Sequence, residues 1–338
     1  MTNCQTTGQD STATTKVCWF DILLADDFVL TELAGIVDVL MIANRVSVRP
    51  VFGWTYRSLS GGNVRSRTGA QVKTEKIPAR VTSDYLFVLG NSDPDNPKLS
   101  VGSVLRKYTF RGVKVFLLAE AASRYITEYG AQHQMLTTHW ENSALLRERR
   151  GVFDAETALA VEDGRIVTCA GMEATVDITL SLIRRHVSSA TQMTVSDILL
   201  HERIRDFSTQ QPFSGARGSN TGDAELDHCI ELMSSNIDDP LPIRELVRLL
   251  GISSRSLERK FRSYLNATPN TYYRALRLAK ANNLLLNTTL SVREVGLACG
   301  FGAGFSGLYK SFFGTTPLAM RKERLAAQFA SGSFRDNR

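Results

Sequence analysis

The 338-residue sequence is short of several things, and each shortage narrows what the chain can be. No apolar run approaches the ~20 residues that a membrane-crossing helix needs, so no membrane partner is expected. Cysteine is sparse, with five residues at positions 4, 18, 169, 229 and 299. No two of them have metal-ligand spacing, and an odd, scattered set is not a disulfide framework, which points to a reducing compartment. Histidine is equally scarce. His133, His186 and His201 have no partner at metal-ligand spacing, and neither a metal nor a cofactor is expected. The first fifteen residues, MTNCQTTGQDSTATT, lack the basic start and apolar stretch of a secretory signal and read as a disordered tail. The expected location is the cytoplasm. What remains is ordinary: 43% hydrophobic and 22% charged residues, with 24 glycines and 9 prolines, which excludes collagen-like and low-complexity chains. At roughly 100–200 residues per domain, the length suggests two domains.

Positive charge is unevenly spread. The stretch Ser208–Asp223 (STQQPFSGARGSNTGD) has no apolar periodicity and reads as a linker. From Leu226 to the end there are 16 Lys and Arg against 9 Asp and Glu, a balance of +7, while the first 225 residues hold 24 against 25, or −1. Between 241 and 280 lie Arg244, Arg248, Arg255, Arg259, Lys260, Arg262, Arg274, Arg277 and Lys280, against Glu245 and Glu258. Such an excess suits a polyanion, because Lys and Arg displace condensed counterions from phosphates. A solvated basic surface has the same composition, so charge nominates nucleic acid without establishing it.

Periodicity sharpens the nomination. Asp223–Ile237 carries Leu226, Ile230, Met233 and Ile237 as one helical stripe. Pro242 suits a first helical position, and the helix Pro242–Leu250 ends at Gly251, which can take the left-handed conformation. Ser253 can cap a second helix, Ser254–Leu265, with Leu257, Phe261 and Tyr264/Leu265 on one face and Arg255, Glu258, Arg259 and Arg262 on the other. A short helix, a glycine turn and a helix with a basic face make a helix-turn-helix, whose second helix enters the major groove. The pattern recurs. Ser291 and Glu294 form a capping box, Gly300-Phe301-Gly302 makes the turn, and Ala303–Phe313 is the second helix, ending at Gly314. A longer helix from Pro269 to about Asn287, capped by Thr268, joins the two units. Two reading helices on one connector could enter successive major grooves roughly 34 Å apart. Leu246, Leu249, Phe261, Leu276, Leu284, Phe301 and Phe312 are expected in the core by their helical spacing.

SVREVGLACGFGAGFSGLYKSFFGTTPLAMR (Ser291–Arg321) and IRELVRLLGISSRSLERKFRSYLNATPNTYYRALRLAKANNLL (Ile243–Leu285) resemble the DNA-binding domain of AraC/XylS-type transcription regulators. The likeness covers about 226–327. It implies double-stranded promoter DNA as partner, two helix-turn-helix units, and activation of transcription through RNA polymerase. Homodimerisation is also a family expectation. Carried over by position, the DNA-binding candidates are Ser254, Arg255, Ser256, Glu258, Arg259 and Arg262 in the first unit. In the second they are Ala303, Gly304, Ser306, Gly307 and Lys310. Gly307 stands where the family often has Arg, Gly304 loosens the same helix start, and Met320 replaces a usual aromatic. Glycine offers no base-edge donor, so the first unit is expected to carry more of the sequence reading and Lys310 to hold phosphate. Most protein–DNA hydrogen bonds go to phosphate and sugar, and Arg255 and Arg259, one turn apart near a helix start, are the candidates for base contact.

The rest of the chain alternates. Strand-like runs at Val17–Leu24, Trp54–Leu59, Tyr85–Leu89 and Val113–Leu118 are interspersed with helical stretches such as Thr31–Arg45. Ala158–Val161 and Arg165–Thr168 flank the turn Glu162-Asp163-Gly164, and Glu173–His186 and Thr191–Arg205 read as closing helices. The expected fold class is α/β with a mainly parallel sheet flanked by helices, followed by an all-α part with the two helix-turn-helix units. Ligands in such sheets bind beyond the carboxyl ends of the strands, which nominates Asp26, Asp27, Asn91, Ala119, Glu120, His139, Trp140 and Gly171.

LTELAGIVDVLMIANR (Leu30–Arg45), TTHW (Thr137–Trp140) and GRIVTCAGMEATVDITLSLI (Gly164–Ile183) resemble the PfpI-like, class I glutamine-amidotransferase-like domain that precedes the DNA-binding domain in GlxA-type AraC regulators. The likeness implies a sensor of a small nitrogenous metabolite, such as an amino acid or a quaternary amine. Enzymes of that superfamily carry a nucleophilic Cys on a strained strand-to-helix elbow, and the ungapped alignment puts Ala119 there. Alanine has no heteroatom for attack, so a non-enzyme is expected. The acidic residue expected near the first helix is replaced, on the same alignment, by Val29. Cys169, on a strand-like run, reads as a buried inert thiol rather than as half of a pair with His139. The expected organisation is a tail at 1–15, an α/β sensor at 16–207, a linker at 208–223, a DNA-binding domain at 224–327 and a tail at 328–338. Two rivals stay open at this point: a ligand-independent regulator whose α/β domain only dimerises, and an active amidase or hydratase with a DNA-binding appendage.

Overall fold

The computed structural model describes residues 17–91, 93–94, 96–130, 135–143, 146, 158–211 and 221–323. Both expected tails, His133 and most of the expected linker lie outside them. The chain divides into two compact units, one of residues up to Tyr125 with Glu162–Phe207, the other of Ile126–Val161 with the chain from Ser208 onward. No described helix is long and apolar enough to cross a membrane.

In chain order the α/β elements are β1 (Cys18–Leu23), α1 (Leu30–Val46), β2 (Phe52–Ser58), β3 (Gly62–Arg65), β4 (Gln71–Lys76), β5 (Tyr85–Val88) and α2 (Gly102–Phe110). There follow β6 (Lys114–Leu118), α3 (Ala119–Tyr129), β7 (Ala160–Asp163), β8 (Ile166–Cys169), α4 (Ala174–Ile183) and α5 (Ser189–Ile198). The strands form one sheet in the order β3-β4-β2-β1-β5-β6-β8-β7. Strand β1 pairs in parallel with β2 on one side and β5 on the other, and β5–β6 and β6–β8 are parallel too. The expected mainly parallel α/β sheet is therefore present. Its centre reads as continuous apolar strands because both faces are covered, and Phe20, Phe87 and Phe116 stack across it at 6.2 and 4.9 Å. Asp21 is the exception within β1. Its buried carboxylate accepts from Arg57 Nε at 2.8 Å, Ser83 Oγ at 3.0 Å and the Tyr108 hydroxyl at 2.8 Å, so the charge is solvated by the protein.

The β3–β4 ribbon was not expected. It pairs antiparallel at the sheet edge, and only Val64 and Thr74 of its residues are buried, so it lacks the apolar signature of a strand. The closing helix also ends sooner than its periodicity suggests, at Ile198 rather than Arg205. Leu200 takes a φ of 54°, and Ser196 Oγ donates to the His201 carbonyl at 2.6 Å. That turn lets His201 Nε2 (2.8 Å) and Arg205 Nη2 (2.6 Å) reach the buried Asp177 carboxylate.

The second unit holds α6 (Ala224–Ser235), α7 (Ile243–Leu250), α8 (Ser254–Leu265), α9 (Pro269–Asn287), α10 (Val292–Ala298) and α11 (Phe305–Phe313). The caps follow the sequence signals. Asp223, Ser253, Thr268 and Ser291 each accept a backbone N–H from the first turn, and Ser291 and Glu294 close a capping box. Gly251 and Gly314 end their helices in the left-handed conformation. Leu226, Ile230, Met233, Leu246, Phe261, Val295 and Phe301 share one core. Leu249 and Phe312 do not join it, being 47% and 52% exposed. Leu246, Val247 and Leu250 fill the inward face of the short α7, and Phe305, Tyr309 and Phe313 fill that of α11, so both residues lie off the buried stripe.

Candidate nucleic-acid interface and buried elbow

Helix α8 is fixed from both ends. Ser256 N donates to Ser253 Oγ at 3.1 Å, Leu257 and Phe261 are buried, and Lys260 pairs with Asp223 and Glu225 at the start of α6. The opposite face is open. Ser254, Arg255, Glu258, Arg259 and Arg262 are exposed and Ser256 is half-buried. Among the described residues none of the three arginines has a hydrogen-bonding or ionic partner. Arg255 and Arg259 stand one turn apart, so two planar donor forks project from the first half of the helix. Not every cation of the basic stretch is available in this way. Arg277 Nε donates to the Cys299 carbonyl at 2.9 Å, Nη2 reaches the Gly300 carbonyl, and the guanidinium stacks on Phe301 at 4.2 Å. It caps the carboxyl end of α10, while Lys260 is held at the foot of α6.

The second unit differs at its helix start. The sequence suggests a helix from Ala303, but α11 begins at Phe305, with Gly304 as N-cap at a φ of 104°. That conformation strains any L side chain, which explains why the helix cannot extend back. Ala303 and Gly304 belong to the turn. Ser306, Gly307 and Lys310 are exposed on α11, whose Phe305 and Tyr309 are buried, and a side chain at Gly307 would meet nothing within 4 Å. In the same turn Gly300 has a φ of 66°, and a Cβ there would lie 2.6 Å from Pro240.

In the α/β part, Ala119 joins β6 directly to α3 with a φ of 40°, the strained strand-to-helix elbow that the alignment placed there. The acid read as missing is present. It is Glu32 on the first turn of α1, fully buried, not the position of Val29. Its Oε2 accepts from Gly90 N at 2.8 Å and its Oε1 from Met172 N at 3.0 Å. Burial, and secondarily the nearby Glu120, push the Glu32 carboxyl up to about 8, although the two backbone donors pull the other way. Gly171, Glu120 and Ala119 crowd the same point. A Cβ on Gly171 would stand 2.2 Å from Glu32 Oε1 and 2.6 Å from the Ala119 Cβ, and one on Gly90 would stand 2.3 Å from Glu120 Oε2. A signal for Glu32 was there to read, since it shares the helical face of Ile36, Val39 and Ala43, all of them buried. Cys169 ends β8 wholly buried, and burial raises its thiol well above the usual range, as befits an inert core residue.

The other ligand candidates separate. Asn91 follows Gly90 and is buried, with its Oδ1 accepting from Asp93 N at 3.2 Å. Asp27 has a φ of 65° and donates its N–H to the Arg65 carbonyl at 2.7 Å. Asp26 stands at the rim of a cavity of about 190 Å³ at the carboxyl ends of β1, β2 and β5, ion-paired with Lys98. His139 and Trp140 belong to the second unit. There Gln211, which the sequence did not single out, accepts from Trp140 N at 2.9 Å and donates to the carbonyls of Thr138 (2.8 Å) and Ala158 (3.0 Å).

Two Gly-turned helix pairs on one connector, each with an outward second helix, define a DNA-binding protein of the helix-turn-helix class. A family model described as a helix-turn-helix domain matches residues 246–323. The chain is 30% identical over 318 residues to the HTH-type transcriptional regulator GbdR of Pseudomonas aeruginosa, covering 89% of this chain and 83% of the relative. It is 28% identical over 305 residues to the HTH-type transcriptional regulator GlxA of Rhizobium meliloti, covering 89% and 94%. With the HTH-type transcriptional regulator CdhR of Pseudomonas aeruginosa it shares 30% identity over 304 residues, covering 88% and 89%. The chain belongs to this family of AraC-type transcriptional regulators, and its helix-turn-helix domain follows the α/β part.

Proposed function

We propose that this regulator reads promoter DNA chiefly through α8 and activates transcription in response to a small nitrogenous metabolite held by the α/β part, which itself performs no reaction. The observation that carries the reading is the outer face of α8, the second helix of the first helix-turn-helix unit, where Arg255, Arg259 and Arg262 are exposed and unpaired among the described residues. In this reading Arg255 and Arg259 contact base edges, with Ser254, Ser256, Glu258 and Arg262 around them. Ser306 and Lys310 grip the backbone from the second unit, with Ala303, Gly304 and Gly307 allowing its close approach. The absence of chemistry rests on Ala119: the elbow keeps its strained backbone and its buried acid but offers no atom to attack a substrate. The sensor at 16–207, the linker at 208–223, the DNA-binding domain at 224–327, a homodimer, RNA polymerase as partner and a cytoplasmic location follow from the family likeness. A ligand acts in such a protein by favouring one arrangement of domains or subunits over another.

The test is capture of sheared genomic DNA by the full-length protein at near-physiological salt, beside an Arg255→Ala/Arg259→Ala control. A few enriched promoter fragments that vanish in the control are expected. Uniform, salt-sensitive retention by both proteins would overturn sequence reading by α8.

A further inference from the structure

The elbow is tightly packed around its two glycines. Glu32, Glu120, Gly90, Gly171 and Ala119 pack so closely there that even an added methyl at either glycine would overlap a carboxylate oxygen. Space opens one strand away. Leu89 lines the 190 Å³ cavity, and the next residue, Gly90, packs on the elbow. The cavity lies where the chain leaves β1 toward β2 on one side and returns through β5 on the other, the switch point at which open α/β sheets hold ligands. It is well below the roughly 300–1,000 Å³ of pockets for drug-sized ligands, so its guest is small. Its floor is hydrocarbon, from Leu23, Val64 and Val88, and its rim carries one charge of each sign, Asp26 and Lys98. These two pair with each other while half-exposed, and an exposed pair is held so weakly that a guest bearing both charges can take its place.

Building on the sensor reading above, we propose that the effector binds in this switch-point cavity rather than at the elbow, and that it is a small aliphatic α-amino acid. Its ammonium lies on Asp26, its carboxylate on Lys98, and its hydrocarbon side chain against Leu23, Val64 and Val88. A simple amine leaves Lys98 unmatched and a simple carboxylic acid leaves Asp26 unmatched, so the site discriminates against both.

The experiment is calorimetric titration of the full-length protein with glycine, alanine, 2-aminobutyrate, valine and leucine, beside isobutylamine and isovalerate, which each lack one of valine's charged groups. At least one amino acid with a side chain is expected to bind, with both single-charge analogues silent. Asp26→Asn and Lys98→Met, both at half-exposed positions, should each weaken it by about ten-fold or more, since charge-assisted bonds are lost. Ser60→Trp, at the exposed rim, should block it. Silence across the panel, or isobutylamine binding as well as valine, overturns the assignment. Binding that survives both charge substitutions and Ser60→Trp places the effector elsewhere in the chain, which overturns the cavity and leaves the sensor intact. Promoter capture, measured separately without added amino acid, judges the regulator itself.

Discussion

Glu32 shows how one buried side chain sets a pH response. Its carboxyl rises from 4.5 to about 8 on folding, so between those values the native state holds a proton that the unfolded chain releases. Unfolding free energy therefore falls as pH rises through that window, by on the order of a few kcal/mol, and the contribution is intact below about pH 4.5. Glu32→Gln removes this slope. It also costs about 1–3 kcal/mol at low pH, because the amide NH₂ faces one of the two backbone donors that the carboxyl now satisfies. Urea midpoints at pH 5, 6.5 and 8 read both effects, and parallel wild-type and variant slopes would show that Glu32 is not the titrating group. Arg277 makes the opposite point about a residue that composition assigns to DNA. Its bonds to the Cys299 and Gly300 carbonyls are internal. Arg277→Ala should lower stability by about 1–3 kcal/mol while leaving base preference in the captured fragments unchanged.

At the scale of elements, the two glycines of the second unit separate cleanly. Gly304 sits at a φ of 104° as the N-cap of α11, whereas Gly307 lies inside the helix with open space around it. Gly307→Ala should stabilise the helical domain by about 0.5–1 kcal/mol, by removing the entropy that glycine loses on folding. Gly304→Ala should destabilise it by about 1–2 kcal/mol, since an L residue pays for a left-handed backbone. Denaturation of the two variants side by side tests the sign as well as the size. Most element boundaries here were legible because capping chemistry is local: Ser253, Thr268, Ser291, Gly251 and Gly314 mark their ends within one turn of chain. The β3–β4 ribbon was not legible, because its strands are polar and their stability comes from pairing at the sheet edge. The end of α5 was hidden for a related reason. The stop at Ile198 serves His201 and Arg205 in reaching Asp177, more than twenty residues back along the chain.

For the whole molecule, the division between reading and gripping predicts unequal losses on DNA. Arg255→Ala or Arg259→Ala should cost about 1–3 kcal/mol on a captured promoter site and relax preference at one base position. Lys310→Ala should weaken all sequences alike and reduce the salt slope by about one unit. Titrations of a captured and a scrambled fragment at several salt concentrations distinguish them, and identical behaviour of the three variants would remove the distinction. The sequence by itself determined the helix-turn-helix pair, the parallel α/β sheet and the alanine at the elbow. The first two rest on caps and periodicity, encoded within a few positions of chain, and the third on the resemblance that places the elbow at Ala119. Only the tertiary structure decided that Glu32 is the buried acid, that Arg277 and Lys260 serve the fold, and that a cavity opens at the carboxyl ends of β1, β2 and β5. Burial, proton affinity and empty volume depend on which distant segments meet, and no local pattern records that meeting.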